Sequence, residues 1–293
     1  MSTRGAALDL DSKKGRLELQ GVSKRFGTAL DADAALENIT LECRPGEFVV
    51  VVGPSGSGKS TLLNIAAGMT KADRGTARLD GELISAPGPD RAMVFQEHGL
   101  FPWLTAAQNV EFGLKMAGIL LAERAERVDD ALRMVHLAAS ADKLVHELSG
   151  GMKQRISIAR ALVMNPAVLL MDEPFAALDA QTRTLLHHQL QSLWVKTQKT
   201  ILFVTHSVGE AVRLADRIIV LHTHPGRIRK EICVDLPHPR KFDSSDISEL
   251  VKLVRREIED EVNRVNALAA EDSWRPDEGS DLGSFADDMG SGI

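Results

Sequence analysis

The chain lacks tyrosine altogether, and aromatic residues of any kind make up only 4% of its 293 residues. Proteins that hold single-stranded nucleic acid stack its bases on aromatic side chains, so this composition argues against that function. The net charge of −6 argues the same way, since DNA-binding proteins usually carry a basic excess. We therefore expect no nucleic-acid partner.

Cysteines and long apolar runs are equally scarce. Cys43 and Cys233 are too few for a disulfide framework and suit a reducing compartment. No run approaches the ~18 consecutive apolar residues of a membrane span, and the N-terminus lacks the apolar segment of a secretory signal. These absences predict a soluble, cytoplasmic protein that reaches a membrane only through a partner.

The acidic charge is concentrated at the C-terminal end. Residues 271–293 hold seven acidic residues and one arginine, which account for the net charge of the chain. With little to bury, this tail is predicted to be disordered, as are residues 1–15. Within the segment 241–270, Asp246–Ala267 is predicted to be an amphipathic helix that starts with a capping box of Asp246 and Glu249. Packing on its own domain is the favoured interpretation of this helix; a regulatory or dimer-stabilising role is the alternative.

Apolar runs predict a parallel sheet that is buried on both faces. The runs are Phe48–Val52, Val168–Met171 and Thr200–Val204. Helical patterns dominate residues 100–164, where no comparable strand occurs. The stretch 179–199 is also predicted to be a helix, with core positions at Leu185, Leu186, Leu190, Leu193 and Trp194. His187 and His188 on the same helix are predicted to lie at the surface. The sequence thus predicts an α/β domain with a helical insertion.

A glycine-rich loop follows the first of these runs and precedes a helical pattern. It comprises Gly53, Pro54, Ser55, Gly56, Ser57, Gly58, Lys59 and Ser60, and it fits the G-x-x-x-x-G-K-S pattern. In that pattern the backbone N–H groups surround phosphates, the lysine reaches the β- and γ-phosphates, and the serine hydroxyl binds Mg²⁺. The loop predicts an ATP site. A plain strand-to-helix turn is the alternative. In either case the helix that follows has apolar residues on one side: Leu62, Leu63, Ile65, Ala66 and Met69.

Two other strand ends carry polar groups. Asp172 and Glu173 follow the run Val168–Met171, where a carboxylate that binds Mg²⁺ and a base that activates water are expected. His206 follows the run Thr200–Val204, where it could contact the γ-phosphate. Taken alone, an acidic pair at a strand end more often caps a helix, and a lone histidine is more often structural.

The segment Leu148–Arg155, with the sequence Leu-Ser-Gly-Gly-Met-Lys-Gln-Arg, has the features of a helix N-terminus. Ser149 is the expected N-cap, and Gly150 and Gly151 would expose backbone N–H groups to an anion. A capped helix start is the simpler explanation. A second phosphate-seeking element in the same chain also allows two copies to close on one nucleotide.

Together these motifs resemble those of the ATP-binding cassette (ABC) ATPases, over roughly residues 17–240. The string Leu-Ser-Gly-Gly before Gln154 and Arg155 is similar to the signature of that family, and the phosphate loop, Asp-Glu pair and histidine stand in its order. The resemblance implies an ABC-type P-loop fold with an antiparallel β subdomain and a helical subdomain at about 97–164. It also implies an ATPase that uses ATP and Mg²⁺.

The resemblance also implies roles for further residues. Two copies would pair head to tail, with Ser149, Gly150, Gly151 and Gln154 of one copy facing the ATP that is held by Lys59, Ser60 and Thr61 of the other. Gln96 would touch Mg²⁺ beside Asp172, and Asp179 would cross the dimer interface. Phe26 stands where the family places an aromatic residue for adenine, usually tyrosine; the ring keeps the stacking contact.

Three segments resemble the nitrate/sulfonate/taurine group of importers. They are Leu100–Thr105, His224–Ile228 and Leu236–Arg240. In importers the first region receives the membrane subunit, so Phe101 and Trp103 are candidate permease contacts. The alternative is that both rings simply pack the loop onto its own domain.

The implied complex contains a second copy of the chain, two integral-membrane permease subunits and, indirectly, an extracytoplasmic solute-binding protein. The chain would then lie on the cytoplasmic face of the inner membrane. An exporter ATPase or another importer class shares the catalytic motifs and stays an alternative. A translation or DNA-repair ABC ATPase is a further one, although the chain has neither a second cassette nor long coiled coils.

Overall fold

The computed structural model describes residues 14–27, 33–238, 240 and 245–273. The strands are β1 (Leu17–Phe26), β2 (Asp33–Cys43), β3 (Phe48–Val52), β4 (Arg74–Leu79), β5 (Glu82–Leu83), β6 (Arg91–Val94), β7 (Val168–Asp172), β8 (Thr200–Thr205), β9 (Arg217–Leu221) and β10 (Ile228–Cys233). The helices are α1 (Lys59–Ala67), α2 (Ala106–Met116), α3 (Leu121–Met134), α4 (Gly150–Leu162), α5 (Ala180–Thr197), α6 (Val208–Leu214) and α7 (Ser245–Ser273).

Two sheets form the scaffold. The larger has the strand order β10-β9-β3-β8-β7-β6, in which β10 alone runs antiparallel to its neighbour. The smaller is antiparallel, with the order β2-β1-β4-β5. The predicted fold class is confirmed, including the antiparallel sheet that the family resemblance implied.

The central strands are buried on both faces, as their continuous β-branched sequences require. Every residue of β3, β8 and β9 is buried. Alternate side chains of β3 enter two apolar clusters: Val49 and Val51 face α1 and the antiparallel sheet, and Val50 and Val52 face α5, α6 and α7. The sheet is therefore held rigidly from both sides.

The helical insertion has a core of its own. α2 and α4 pack together with α3 around an apolar cluster that includes Val110, Leu114, Leu132 and Ile156. α2 begins with a full capping box in which Thr105 and Gln108 satisfy each other's backbone N–H groups. The predicted helical character of this region is confirmed.

Three predictions about single side chains were wrong. Leu185 lies on the exposed side of α5, although Leu186, Leu190, Leu193 and Trp194 are buried as predicted. Met69 lies beyond the end of α1, which stops at Ala67 with Gly68 in a left-handed conformation at its C-cap, and it is half exposed. His187 was expected at the surface but is buried against α6.

α7 confirms the predicted C-terminal helix and its packing on the domain. Ile247 and Val254 are buried in the cluster beside β9. The helix continues to Ser273, so residues 271–273, which were predicted to belong to a disordered tail, are helical. Residues 274–293 lie outside the described part of the chain. At the N-terminal end, the backbone N–H of Gly15 donates to the carboxylate of Asp80, so Gly15 is ordered, contrary to the prediction. Residues 1–13 lie outside the described part of the chain. No helix among the described residues is long and apolar enough to cross a bilayer.

Candidate functional site

The sheet register brings the predicted motifs to one edge. Val52 pairs with Thr205, so the phosphate loop and His206 leave neighbouring strands at the same level. Asp172 pairs with Val204 on the other side of β8. Since these strands are parallel, their carboxyl ends form a crevice of the kind where α/β proteins bind ligands.

The phosphate loop is shaped by glycine. Gly56 and Gly58 have φ values of 79° and 82°, in the left-handed region that L side chains rarely adopt. A Cβ on Gly58 would also lie 2.5 Å from the carbonyl oxygen of Ala35. These two conformations curl the loop around Lys59, whose Nζ donates to the carbonyl oxygens of Gly53 and Pro54 at 2.9 Å each. Burial lowers the pKa of this amine, while Glu173 and Asp172 oppose the shift.

Ser60 and Asp172, which are predicted to bind Mg²⁺, lie in direct contact. The Ser60 hydroxyl donates to Oδ1 of Asp172 at 3.1 Å. Burial raises the pKa of Asp172; the Ser60 hydrogen bond opposes this shift, and the nearby Glu173 carboxylate adds to it. A hydroxyl and a partly desolvated carboxylate are the hard oxygen donors that Mg²⁺ prefers, so the residues fit that ion.

Glu173 lies directly beyond β7 and faces His206. Its Oε2 is 2.7 Å from Nδ1 of the imidazole, which is itself exposed to solvent. Glu173 also has a φ of 42°, a left-handed value for a residue with a side chain. Such conformations are costly and cluster at functional sites, because the surroundings must hold them in place.

The signature segment begins α4 as predicted. The Ser149 hydroxyl accepts from the backbone N–H of Met152, and Ser149 and Gly150 are exposed while Gly151 is buried. A Cβ on Gly151 would lie 2.5 Å from Cγ2 of Thr182, so α4 approaches α5 closely at this point. In the described part of the chain, the hydrogen bonds of Ser149 stay within α4 and do not reach the phosphate loop.

Gln154 lies in a different environment from Ser149. It is fully buried, and its Oε1 is 2.6 Å from Nδ1 of His98. Arg160, one and a half turns further along α4, donates to the carbonyl oxygens of His98 and Gly99. In this conformation Gln154 anchors the segment after Gln96 to α4, and its contact with the ATP of a second copy stays a prediction.

Asp179 caps α5 by accepting from the backbone N–H of Thr182, and this bond lowers its pKa. Arg183 holds the preceding loop by donating to the carbonyl oxygens of Phe175 and Leu178. The loop that was predicted to cross a dimer interface is thus fixed at its base, with Asp179 exposed at its end.

The other predicted residues lie around this edge. Gln96 is exposed two residues beyond β6, the strand beside β7. Phe26 ends β1, half exposed, with Nζ of Lys24 5.5 Å from its ring centre. Thr61 lies in the first turn of α1.

The two candidate permease contacts differ in exposure. Phe101 packs against Phe112, with ring centres 4.5 Å apart, and against Trp103, whose side chain is 72% exposed. Phe101 thus combines both interpretations of this loop, because it packs on its own domain and also supports an outward-facing tryptophan.

A buried polar cluster next to His206 was missed at the sequence level. Glu210 accepts from the Thr205 hydroxyl and lies 3.2 Å from Nε2 of His187, while Arg213 donates to Nδ1 of the same ring. Burial lowers the pKa of His187. For Glu210, burial raises the pKa, but the hydrogen bonds of His187 and Thr205 to the charged carboxylate outweigh burial, so the pKa is lowered overall. The available signal was a glutamate on an otherwise apolar turn, four residues after His206.

Comparison with known proteins gave consistent matches. The family model described as ABC transporter matches residues 36–176. The nitrate import ATP-binding protein of Synechocystis is 48% identical over 75% of this chain and 83% of its own length. The taurine import ATP-binding protein of Mesorhizobium japonicum is 50% identical over 66% and 76%, respectively. The aliphatic sulfonates import ATP-binding protein of Bacillus cereus is 41% identical over 83% and 96%.

One solved structure is similar across its whole length. It is a dimeric ATP-binding cassette in a post-hydrolysis state with ADP and Pi. The superposition has a TM-score of 0.67 at 35% identity and covers 75% of this chain and all of the other. The likeness therefore extends well beyond the phosphate loop.

Proposed function

The chain belongs to the ABC transporter family and is an ATPase, and we propose that it energises an importer for a small anion of the nitrate, sulfonate or taurine type. The observation that carries the ATPase part of this proposal is the convergence of Lys59, Asp172, Glu173 and His206 on one edge of the parallel sheet. These are the groups that one copy is proposed to use in ATP hydrolysis. The importer part is supported by the similarity to nitrate, taurine and sulfonate import ATP-binding proteins.

Each of these groups has a role in the reaction. The backbone N–H groups of the loop and the amine of Lys59 bind the β- and γ-phosphates. The Glu173 carboxylate accepts a proton from a water molecule, whose oxygen attacks the γ-phosphorus. The bond from that phosphorus to the bridging oxygen breaks, and ADP and phosphate result. His206 orients Glu173 through the 2.7 Å contact and faces the γ-phosphate from β8.

Mg²⁺ would be held by Ser60 and Asp172, with Gln96 reaching in from the end of β6. When bound, the ion supplies positive charge against the phosphate oxygens. The Ser60–Asp172 hydrogen bond already places these two donors together, so little rearrangement is required of the chain.

We infer a head-to-tail dimer as the working form. Ser149 and Gly150 are exposed at the start of a capped helix, where N–H groups and the helix dipole favour an anion, and Gly151 behind them is buried against α5. Because the hydrogen bonds of Ser149 stay within its own helix, its anion-binding end is available to the ATP of a second copy. Asp179 would contact that copy beside it.

Phe101 and Trp103 are proposed to seat a membrane subunit. An exposed indole that packs on Phe101, which is itself backed by Phe112, is the type of aromatic anchor that dominates interface energetics. Two permease subunits would then bind one ATPase dimer at the cytoplasmic face of the membrane, and a solute-binding protein would act from the other side.

Reconstitution tests this function. The chain is combined with its permease subunits in liposomes, and ATP turnover is measured with the solute-binding protein and nitrate, taurine or an alkanesulfonate. We expect one of these anions to raise turnover, while a neutral sugar does not. Turnover that responds to ribosomes or DNA ends, and is indifferent to the permease, would refute the importer.

A further inference from the structure

The turn between β9 and β10, residues 222–226, has no role in the reaction above. Its backbone joins the two sheets through two hydrogen bonds to β2. The N–H of Gly226 donates to the carbonyl oxygen of Ala35 at 3.1 Å, and the N–H of Glu37 donates to the carbonyl oxygen of Gly226 at 2.9 Å. His224 has a left-handed φ of 51°. The turn is therefore a fixed bridge and not a loose hairpin end.

The same turn lies against the phosphate loop. A Cβ on Gly226 would be 2.3 Å from the carbonyl oxygen of Ser57, so only glycine allows this approach. A Cβ on Gly56 would be 3.7 Å from Cε1 of His224, so the imidazole lies beside this glycine, within van der Waals distance of where a side chain would begin. Ser57 and Gly56 are central residues of the loop, so the position of the turn limits how the loop can move.

From the other side, the turn is held by α7. The carboxylate of Glu261 is fully buried. It accepts from the backbone N–H of Thr223 at 2.9 Å and contacts Nδ1 of His222, and Nη1 of Arg229 lies 3.4 Å away. The Thr223 hydroxyl is in turn 2.9 Å from Nδ1 of His224. A buried carboxylate is tolerated only with such partners, so these contacts define one geometry.

Docking of α7 does not depend on Glu261. Ile247 and Val254 bury the first half of the helix against the sheet. Glu257, one turn before Glu261, pairs with Arg229 and Lys230 on β10 and makes no hydrogen bond to the turn in the described part of the chain. Glu257 therefore offers a matched control, since it attaches the same helix to the same strand without the link to residues 222–226.

We propose that Glu261 is a positioning residue for the ATP site, which acts through the turn 222–226 to hold Gly56 and Ser57 of the phosphate loop in their binding conformation. The C-terminal helix thereby sets nucleotide affinity from outside the site. The proposal rests on ATP binding by this chain, as in the proposed function, and is independent of the solute and the permease.

The test compares Glu261→Ala, Glu261→Gln, Glu257→Ala and His224→Ala in the full-length protein. Dissociation constants for a fluorescent ATP analogue are measured, together with KM, kcat and the melting temperature. We expect Glu261→Ala to raise Kd and KM about tenfold while kcat changes less than about twofold. Glu261→Gln keeps an oxygen that accepts from Thr223 and should recover part of the affinity. Glu257→Ala should leave Kd unchanged.

A double-mutant cycle separates positioning from general weakening of the fold. His224 is exposed, so we expect His224→Ala to fold even if Glu261→Ala does not. His224→Ala should raise Kd by itself, and adding it to Glu261→Gln should cost less than the two changes separately, because both act through one link. Additive effects, or an equal loss of affinity in Glu257→Ala, would overturn the proposal. A parent protein that binds no nucleotide at all would instead refute the ATPase function.

Discussion

Nδ1 of His206 lies 2.7 Å from Oε2 of Glu173, although 33 positions separate the two residues in the chain. They meet because β7 and β8 are adjacent parallel strands that end at the same level. Glu173 holds a left-handed backbone conformation at this point, which directs its carboxylate across the end of β8. The strand register, rather than either side chain alone, thus brings together the two residues that are proposed to act in hydrolysis.

Replacing Glu173 by glutamine should separate binding from hydrolysis. The amide keeps the shape of the side chain but cannot accept a proton from water, so we expect ATP turnover to fall by at least about a hundredfold. Affinity for ATP should persist, and the stalled variant should elute as a dimer in the presence of ATP. Single-turnover assays and size-exclusion chromatography measure the two effects. Glu82→Gln, on the distant strand β5, serves as the control, and parent-like turnover in Glu173→Gln would exclude it as the base.

Asp172→Asn should increase the folding stability of the protein when neither nucleotide nor Mg²⁺ is bound. The same substitution should abolish Mg²⁺-dependent hydrolysis. The pKa of Asp172 is raised in the folded state, so its ionisation opposes folding as the pH rises above the ordinary carboxyl pKa. At pH 7 the melting temperature of Asp172→Asn should exceed that of the parent by about 1–3 °C. The difference should shrink as the pH is lowered toward the ordinary carboxyl pKa, because the raised pKa makes the folded parent take up its proton before the unfolded chain does. Thermal scans across this range would show an opposite trend if Asp172 were stabilised by its charge.

The cluster around His187 should make stability depend on pH. Because Arg213 can only donate, Nδ1 must be unprotonated, and the neutral ring donates from Nε2 to Glu210. The lowered pKa of His187 means that the unfolded chain takes up the proton first, so stability is lost as the pH falls below about 6.5.

We expect the melting temperature of the parent to fall between pH 7.5 and 5.5, and His187→Gln to flatten that slope. His188→Gln is the matched control, because the side chain of His188, next to His187 in the chain, is exposed. Parallel slopes for the parent and His187→Gln would contradict the assignment of a neutral, buried imidazole.

How much was predictable depends on the range of the interactions involved. β3 was identified because five successive apolar residues signal burial on both faces, and the spacing of Gly53–Ser60 is a local chemical pattern. β6 was missed, since its sequence Arg-Ala-Met-Val is short and partly polar, and the strand exists through its pairing with β7. The burial of His187 depends on Glu210 and Arg213 of α6, which nothing near position 187 reveals.

The two cysteines should differ sharply in reactivity. Cys43 is buried in β2, and burial together with the nearby Glu47 raises the pKa of its thiol well above its usual range. Cys233 is exposed at the end of β10. A chromogenic disulfide reagent at pH 8 should therefore titrate one thiol in the native protein and two in guanidinium. Native reaction that persists in Cys233→Ser would show that Cys43 is accessible.

Truncating the exposed aromatic residues tests the membrane contact. Trp103→Ala and Phe101→Ala should leave ATP binding intact, because neither ring lies at the nucleotide edge of the sheet. Recovery of the chain with membranes that contain its permease should decrease severalfold, more for the outward-facing Trp103. Leu83→Ala removes another exposed apolar side chain, on the antiparallel sheet, and should have no effect. Undiminished recovery of both aromatic variants would assign Phe101 and Trp103 to packing alone.

The position of β3 in the sheet has a consequence for biosynthesis. β3 leads into the phosphate loop, but its neighbours β8 and β9 are encoded in the last third of the chain. At typical translation rates the ribosome needs on the order of ten seconds to make the intervening residues. Throughout that interval the nascent chain carries the complete glycine-rich motif without the strands that shape it. The growing polypeptide therefore acquires its capacity to hold ATP only near the end of synthesis, when Thr205 and Leu221 have emerged.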